Sequence, residues 1–181
     1  MNLLHDIDPG TKEEMNVIVE IPKDSHNKYE IDKKTGIIKL DRVMHSAQNY
    51  PFDYGFVPQS LWDDGDALDV VLLTTYPLVP GILVSARPVG IMHMTDGGEA
   101  DEKIIAVAAG DPRYASIKDI SDANQHVLKE IAHFFSTYKQ IQNKEVVVGD
   151  FEGHLAAIAA YDRALKMYRD SRASSKEHHG I

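Results

Sequence analysis

The 181-residue chain contains no cysteine, which excludes disulfide cross-links, thiolate metal centres and a cysteine nucleophile. It has no apolar run approaching the roughly 20 residues a membrane span needs. The opening Met1-Asn2-Leu3-Leu4-His5-Asp6 lacks a basic segment followed by an apolar one. A signal peptide and a membrane partner are therefore not expected, and a cytoplasmic location is. Positive charge is scarce: 19 Lys and Arg face 28 Asp and Glu, a net charge of −9. Nucleic-acid binding relies on cations that neutralise phosphates, so no nucleic-acid partner is expected either. Glycine-rich phosphate loops are missing, with neither G-x-x-x-x-G-K-[ST] nor G-x-G-x-x-G present. The nine histidines form no H-E-x-x-H and no His-x-His pair.

Acid is what the chain has in excess, and it is concentrated. Asp63-Asp64-Gly65-Asp66-Ala67-Leu68-Asp69 puts four carboxylates into seven residues, and the apolar run Val70-Val71-Leu72-Leu73 follows directly. Carboxylates this close raise one another's pKa unless water or cations offset them. An acidic turn capping a strand is the simpler reading, since Asp-Gly is common turn chemistry. An EF-hand is excluded by spacing: with Gly65 at the sixth position, Val71 falls where a Glu is required. Further ligands would have to come from elsewhere in the chain.

A composition of 43% hydrophobic and 26% charged residues suits one soluble domain, expected over residues 1–170, with 171–181 as a disordered tail. Met15 to Ile21 alternates as a strand, with Val17, Val19 and Ile21 on one face and Ile18 and Glu20 on the other. Lys28 to Ile31 and Ile37 to Leu40 flank turn residues and read as a hairpin. An aromatic, proline-punctuated loop runs from Tyr50 to Pro58. Residues 70–74, 82–94 and 104–108 are further strands, and the loop between the last two holds Asp96, Glu99, Asp101, Glu102 and Lys103. Apolar residues at spacings of three and four predict a helix over Asn124 to Gln142, capped by Ser121 or Asp122. A short strand over Glu145 to Gly149 and a second helix through Leu155, Ile158, Leu165 and Tyr168 follow. This order predicts an α+β fold with a small antiparallel, barrel-like sheet.

The chemistry left open is that of oxygen ligands. Glu20, Glu30, Asp64, Asp66, Asp69, Asp96 and Asp101 offer carboxylates without sulfur or a suitable imidazole, a set suited to Mg²⁺ or Mn²⁺. Lys28, Arg42, Lys103 and Lys139, with Tyr54 and Tyr138, are donors suited to phosphate oxygens. Together they point to metal-assisted phosphoryl transfer.

Eight segments carry a more specific likeness. Val19-Glu20-Ile21-Pro22, Lys28-Tyr29-Glu30-Ile31-Asp32, Asp41-Arg42, Tyr50-Pro51 with Asp53-Tyr54-Gly55, the stretch Asp63 to Val70, Arg87-Pro88-Val89-Gly90, Met94-Thr95-Asp96 with Asp101 and Lys103, and His133-Phe134-Phe135 with Tyr138-Lys139 occur in one order. Over about residues 15–142 the chain resembles the family I soluble inorganic pyrophosphatases of the bacterial type. The resemblance implies a five-stranded OB-like barrel with two main helices packed outside, and hydrolysis of pyrophosphate, arriving as its magnesium complex, to two orthophosphates with several Mg²⁺ ions. It implies Asp64, Asp66, Asp69, Asp96 and Asp101 as metal ligands, with Glu20 and Glu30 as supporting acids. Lys28, Arg42, Tyr54, Lys103, Tyr138 and Lys139 are implied as phosphate donors. Asp66, with Asp64 and Tyr54, is expected at the reacting centre, Asp66 holding the attacking water or taking its proton. Asp63 is left without a role. The resemblance further implies a homo-hexamer built on the helix carrying His133, although Thr137 stands where bacterial members often have a second histidine. Two other readings remain open: a hydrolase of nucleotides or organic phosphates, sharing the metals, and a non-catalytic OB-like binding module.

Overall fold

The structure, a computed structural model, describes residues 1–177. Nine strands and two helices follow one another as β1 (Met15–Ile21), β2 (Asn27–Ile31), β3 (Ile38–Val43), β4 (Asp53–Phe56), β5 (Asp69–Leu73), β6 (Leu83–Asp96), β7 (Glu99–Ala100), β8 (Lys103–Ala108), α1 (Gln125–Thr137), β9 (Val146–Gly153) and α2 (His154–Glu177). β1 pairs with β4, β4 with β5, β5 with β8, β8 with β6, and β6 returns to β1. Five strands thus close a ring and leave no open edge between them. β9 and β7 lie along the far end of β6, and β2 and β3 form a separate hairpin.

Burial on both faces explains the unbroken apolar run after the acidic cluster. Along β5, Val70 and Leu72 join one core and Val71 and Leu73 the other, as a period of two requires. The first core is closed by α2 through Tyr161 and three alanines, Ala157, Ala160 and Ala164, whose small side chains let the helix sit close. The second is closed by α1, whose Leu128, Ile131, Phe134 and Phe135 meet Tyr50, Phe52 and Tyr54. Phe52 and Phe135 stack with ring centroids 5.5 Å apart. Fully burying each such aromatic contributes on the order of 2–3 kcal/mol.

Several sequence expectations change. The sheet is not wholly antiparallel, since β5 and β8 run parallel; the long β6 lies between them in the chain and supplies the crossover. The loop from Tyr50 to Pro58 contains β4, all four residues of which are buried, so the alternation that marks a half-exposed strand is absent. Gly55 is required there, because a Cβ would stand 2.0 Å from the Ile18 carbonyl oxygen on β1. The helix predicted over Asn124 to Gln142 stops at Thr137 and is followed by a separate 3₁₀ turn, Gln140–Gln142. Its cap is Asn124, whose side chain accepts from the His126 N–H at 2.9 Å. Ser121 and Asp122 belong instead to the preceding 3₁₀ turn. β9 extends to Gly153, and α2 continues past residue 170 to Glu177; the remainder of the expected tail, 178–181, lies outside the described residues.

Candidate active site

A cavity of about 330 Å³ opens where the C-terminal end of β6, the start of β5 and β8, the β2–β3 hairpin and the end of α1 meet. Asp64, Asp66, Asp69, Asp96 and Asp101 all line it, with Lys28, Arg42, Lys103, Lys139, Tyr54 and Tyr138. Glu20 and Glu30 do not. They line an adjoining cavity of about 490 Å³, which shares Lys28, Tyr54, Asp66 and Asp69 with the first. A larger hollow of about 580 Å³ beside Leu128 and Phe151 contains none of these residues.

Register explains how distant residues meet. The parallel ladder sets Lys103 directly beside Asp69, and the Lys103 Nζ lies 2.6 Å from Asp69 Oδ2 while also pairing with Asp101. Lys103 is 2% exposed. Burial works to lower its pKa, but the two carboxylates outweigh burial and hold it above the usual lysine range. On the hairpin, Lys28 and Arg42 are cross-strand partners. Lys28 Nζ lies 3.1 Å from Glu30 and 3.3 Å from Asp41, and Arg42 donates to Asp41 at 2.7 Å. The Arg42 Nε is buried without a hydrogen-bond acceptor among the described residues.

At the end of α1 the helix breaks after Thr137, and the next two residues reach the cavity. Tyr138 donates to Asp96 at 3.2 Å and Lys139 pairs with the same carboxylate. Burial pushes the Tyr54 and Tyr138 phenols well above their ordinary pKa, and neighbouring aspartates add to the shift. Both therefore remain O–H donors across the physiological range.

Several of the acidic groups are raised by burial. Burial, then the nearness of Asp69, raises the Asp101 carboxyl to about 7 in spite of Lys103. Asp64 is raised too, by burial first and then by Asp69 and Asp66. Glu20 is 6% exposed and is pushed up to about 8 by burial, with Asp69 adding to it, although it accepts the Ile31 N–H at 2.6 Å. Among the described residues, no three acidic or histidine side chains stand in a ready-made metal-binding arrangement. Lysine ammonium groups occupy the gaps between them, Lys103 on Asp69 and Asp101, Lys139 on Asp96, and Lys33 on Asp66.

The structure adds residues the sequence did not single out. Glu99 lines the cavity, Asp41 braces Lys28 and Arg42, and Lys33 covers Asp66. Asp41 and Glu99 were within reach, the first inside the Asp41-Arg42 segment and the second in the acidic loop before β8; nothing local marked Lys33. Asp63 points away from the cavity and pairs with Arg163 on α2 at 2.6 Å, and that arginine lies 4.5 Å from the Trp62 ring centroid.

Residues 17–169 match the family model described as inorganic pyrophosphatase. Over 168 residues the chain is 45% identical to soluble inorganic pyrophosphatase 1 of Arabidopsis thaliana, a match covering 92% of this chain and 79% of that one. It is 48% identical over 166 residues to the soluble inorganic pyrophosphatase of Zea mays, covering 91% and 78%. The crystal structure of the inorganic pyrophosphatase from Thermus thermophilus superimposes with a TM-score of 0.89 at 42% identity, covering 93% of this chain and 99% of that one. The enzyme from Helicobacter pylori does so with a TM-score of 0.87 at 41% identity, covering 91% and 99%.

Proposed function

The chain belongs to the inorganic pyrophosphatase family, and we propose that its acidic cavity hydrolyses inorganic pyrophosphate to two orthophosphates. One observation carries this reading: five aspartates and four cationic side chains, drawn from eight separate elements and loops, line one cavity of about 330 Å³. The family is metal-dependent, and the donor set fits a hard cation. Every acidic ligand candidate offers oxygen, and the Asp64 and Asp101 carboxyls, raised by burial first and by neighbouring aspartates after it, are groups whose charged form divalent cations would favour. Mg²⁺, with Mn²⁺ as a substitute, would be held by Asp64, Asp66, Asp69, Asp96 and Asp101, with Glu20 and Glu30 as supporting acids. When bound, such ions offset the substrate's charge and make water more acidic.

The remaining work falls to side chains. Pyrophosphate carries several negative charges toward a protein of net charge −9, so it binds as a magnesium complex, which lowers that repulsion. Arg42, Lys28, Lys103 and Lys139 bind the phosphate oxygens, and the Tyr54 and Tyr138 hydroxyls donate to them. Water attacks one phosphorus, its bond to the bridging oxygen breaks, and that oxygen leaves on the second phosphate. Asp66, half exposed at the cavity mouth, orients the water and accepts its proton, with Asp64 beside it. Charge growing on the leaving phosphate is met by donors already fixed by their own ion pairs.

The working form is a homo-hexamer in the cytoplasm, assembled through α1. His133 is exposed on that helix, and Thr137, one turn on, is tied inward by donating to the His133 carbonyl at 2.8 Å and accepting from Gln48 at 2.7 Å. Light scattering tests the assembly against the 20.2 kDa chain mass. No helix among the described residues is long and apolar enough to cross a membrane.

Phosphate release from pyrophosphate, ATP and a phosphate monoester, each with Mg²⁺ and with a chelator, tests the activity. Rapid release from pyrophosphate alone, lost with chelation, is expected. Equal turnover of ATP or the monoester would overturn the assignment.

A further inference from the structure

The cavity aspartates differ in where their counter-ions come from. Asp69 and Asp101 share Lys103 of the barrel, and Asp96 has Lys139 at the end of α1. Asp66 is paired from outside, by Lys33 in the turn between β2 and β3. That hairpin forms no ladder with the barrel. Lys33 reaches across to the acidic loop and makes two contacts there, an ion pair with Asp66 and a hydrogen bond from Nζ to the Gly65 carbonyl at 3.1 Å.

The main chain on the other side of this contact is held by its own bonds. The Trp62 N–H donates to the Asp66 carbonyl at 2.7 Å, the Gly65 N–H to the Trp62 carbonyl at 3.0 Å, and the Asp66 N–H to Asp64 Oδ1 at 2.9 Å. Gly65 takes a φ of +82° to close this turn. With the backbone tied down, the direction of the Asp66 carboxylate is set by its side-chain torsions, and Lys33 holds them. Asp66 lines both cavities, so its carboxylate can serve the reacting centre or be drawn toward the hairpin.

We infer that Lys33 is a positioning residue for Asp66, a resident counter-ion from the hairpin that holds the carboxylate toward the hairpin side and is displaced when a divalent cation binds. The inference rests on the reading of Asp66 as a metal ligand. It follows from competition: one carboxylate cannot give its full charge to both an ammonium and a cation, so metal uptake includes the cost of breaking the Lys33 contact. The pair is more than half exposed on both sides, and pairs of this kind are weak, which limits the effect to about two- to fivefold in metal affinity.

The test is a calorimetric titration of Mg²⁺ into the full chain without pyrophosphate. Lys33→Met is expected to bind Mg²⁺ about two- to fivefold more tightly than the unmodified protein, and Lys33→Arg, which keeps the charge, to bind as the unmodified protein does. Lys34→Met removes the same charge from the same turn, and Lys34 makes no ion pair among the described residues; its affinity is expected to stay unchanged. Unchanged or weaker binding by Lys33→Met, or equal tightening by Lys34→Met, would overturn the inference and leave the metal reading intact. No Mg²⁺ uptake by the unmodified protein would overturn both.

Discussion

Glu20→Gln isolates the cost of burying one carboxyl beneath the site. Glu20 is pushed from 4.5 to about 8 by burial, with Asp69 adding to the shift. Between those two values the folded protein holds a proton that the unfolded chain has released. Folded stability therefore falls as pH rises through this window, by about 1.4 kcal/mol per pH unit. Across the whole window the loss reaches a ceiling of about 5 kcal/mol. Glutamine has nearly the shape of the protonated acid and keeps an oxygen to accept the Ile31 N–H, but it cannot ionise. The variant is expected to match the unmodified protein within about 1 kcal/mol at pH 5. Its advantage should then grow by about 1.4 kcal/mol per pH unit, by about 4 kcal/mol at pH 8, and level off above. Urea denaturation at pH 5, 6, 7, 8 and 9, with a chelator and at fixed protein concentration, measures that difference; other titrating groups cancel because they are common to both proteins. A difference that stays flat with pH would mean that Glu20 is ionised in the folded protein, and the argument from burial would fail.

Asp66→Asn is expected to lose turnover by about a hundredfold to ten-thousandfold, measured by phosphate release, while circular dichroism shows an unchanged fold because the side chain is largely exposed. Near-normal turnover would remove Asp66 from the reacting centre. Asp53→Ala should cost about 3 kcal/mol in denaturant titration. This fully buried carboxylate accepts from the Lys23 and Leu78 N–H groups and the Thr74 hydroxyl, and alanine leaves all three unmatched. Asp63→Asn, which loses only an exposed pair with Arg163, should change stability by less than about 1 kcal/mol and leave turnover intact.

Much of the site was legible because its chemistry is packed into short segments. Asp64, Asp66 and Asp69 lie within six residues, and Asp101 and Lys103 within three, so their types and spacing marked an acidic concentration, while an acidic turn capping a strand stayed the simpler local reading. The strands β5 and β8 were legible as apolar runs for the same local reason. The strand β4 was not, since four residues buried on both faces leave no alternation to read. Glu20 and Glu30 offer the same carboxylate chemistry as the five aspartates, and their places on β1 and on the hairpin strand β2 put them in the adjoining cavity. Asp63 had no partner in sequence because Arg163 is 100 residues away.

From the order of residues follow the excess of acid, an all-oxygen set of candidate ligands, the α+β class and the family likeness, because composition, spacing and periodicity are local properties of the chain. Which carboxylate meets which cation is not local. Lys103 stands on Asp69 because β5 and β8 pair in parallel at that register, Tyr138 and Lys139 turn inward because α1 stops at Thr137, and Lys33 covers Asp66 because a hairpin outside the barrel leans over the acidic loop. Such pairings depend on strand register and on helix termination, each a sum of many contacts across the fold, and no short segment contains them.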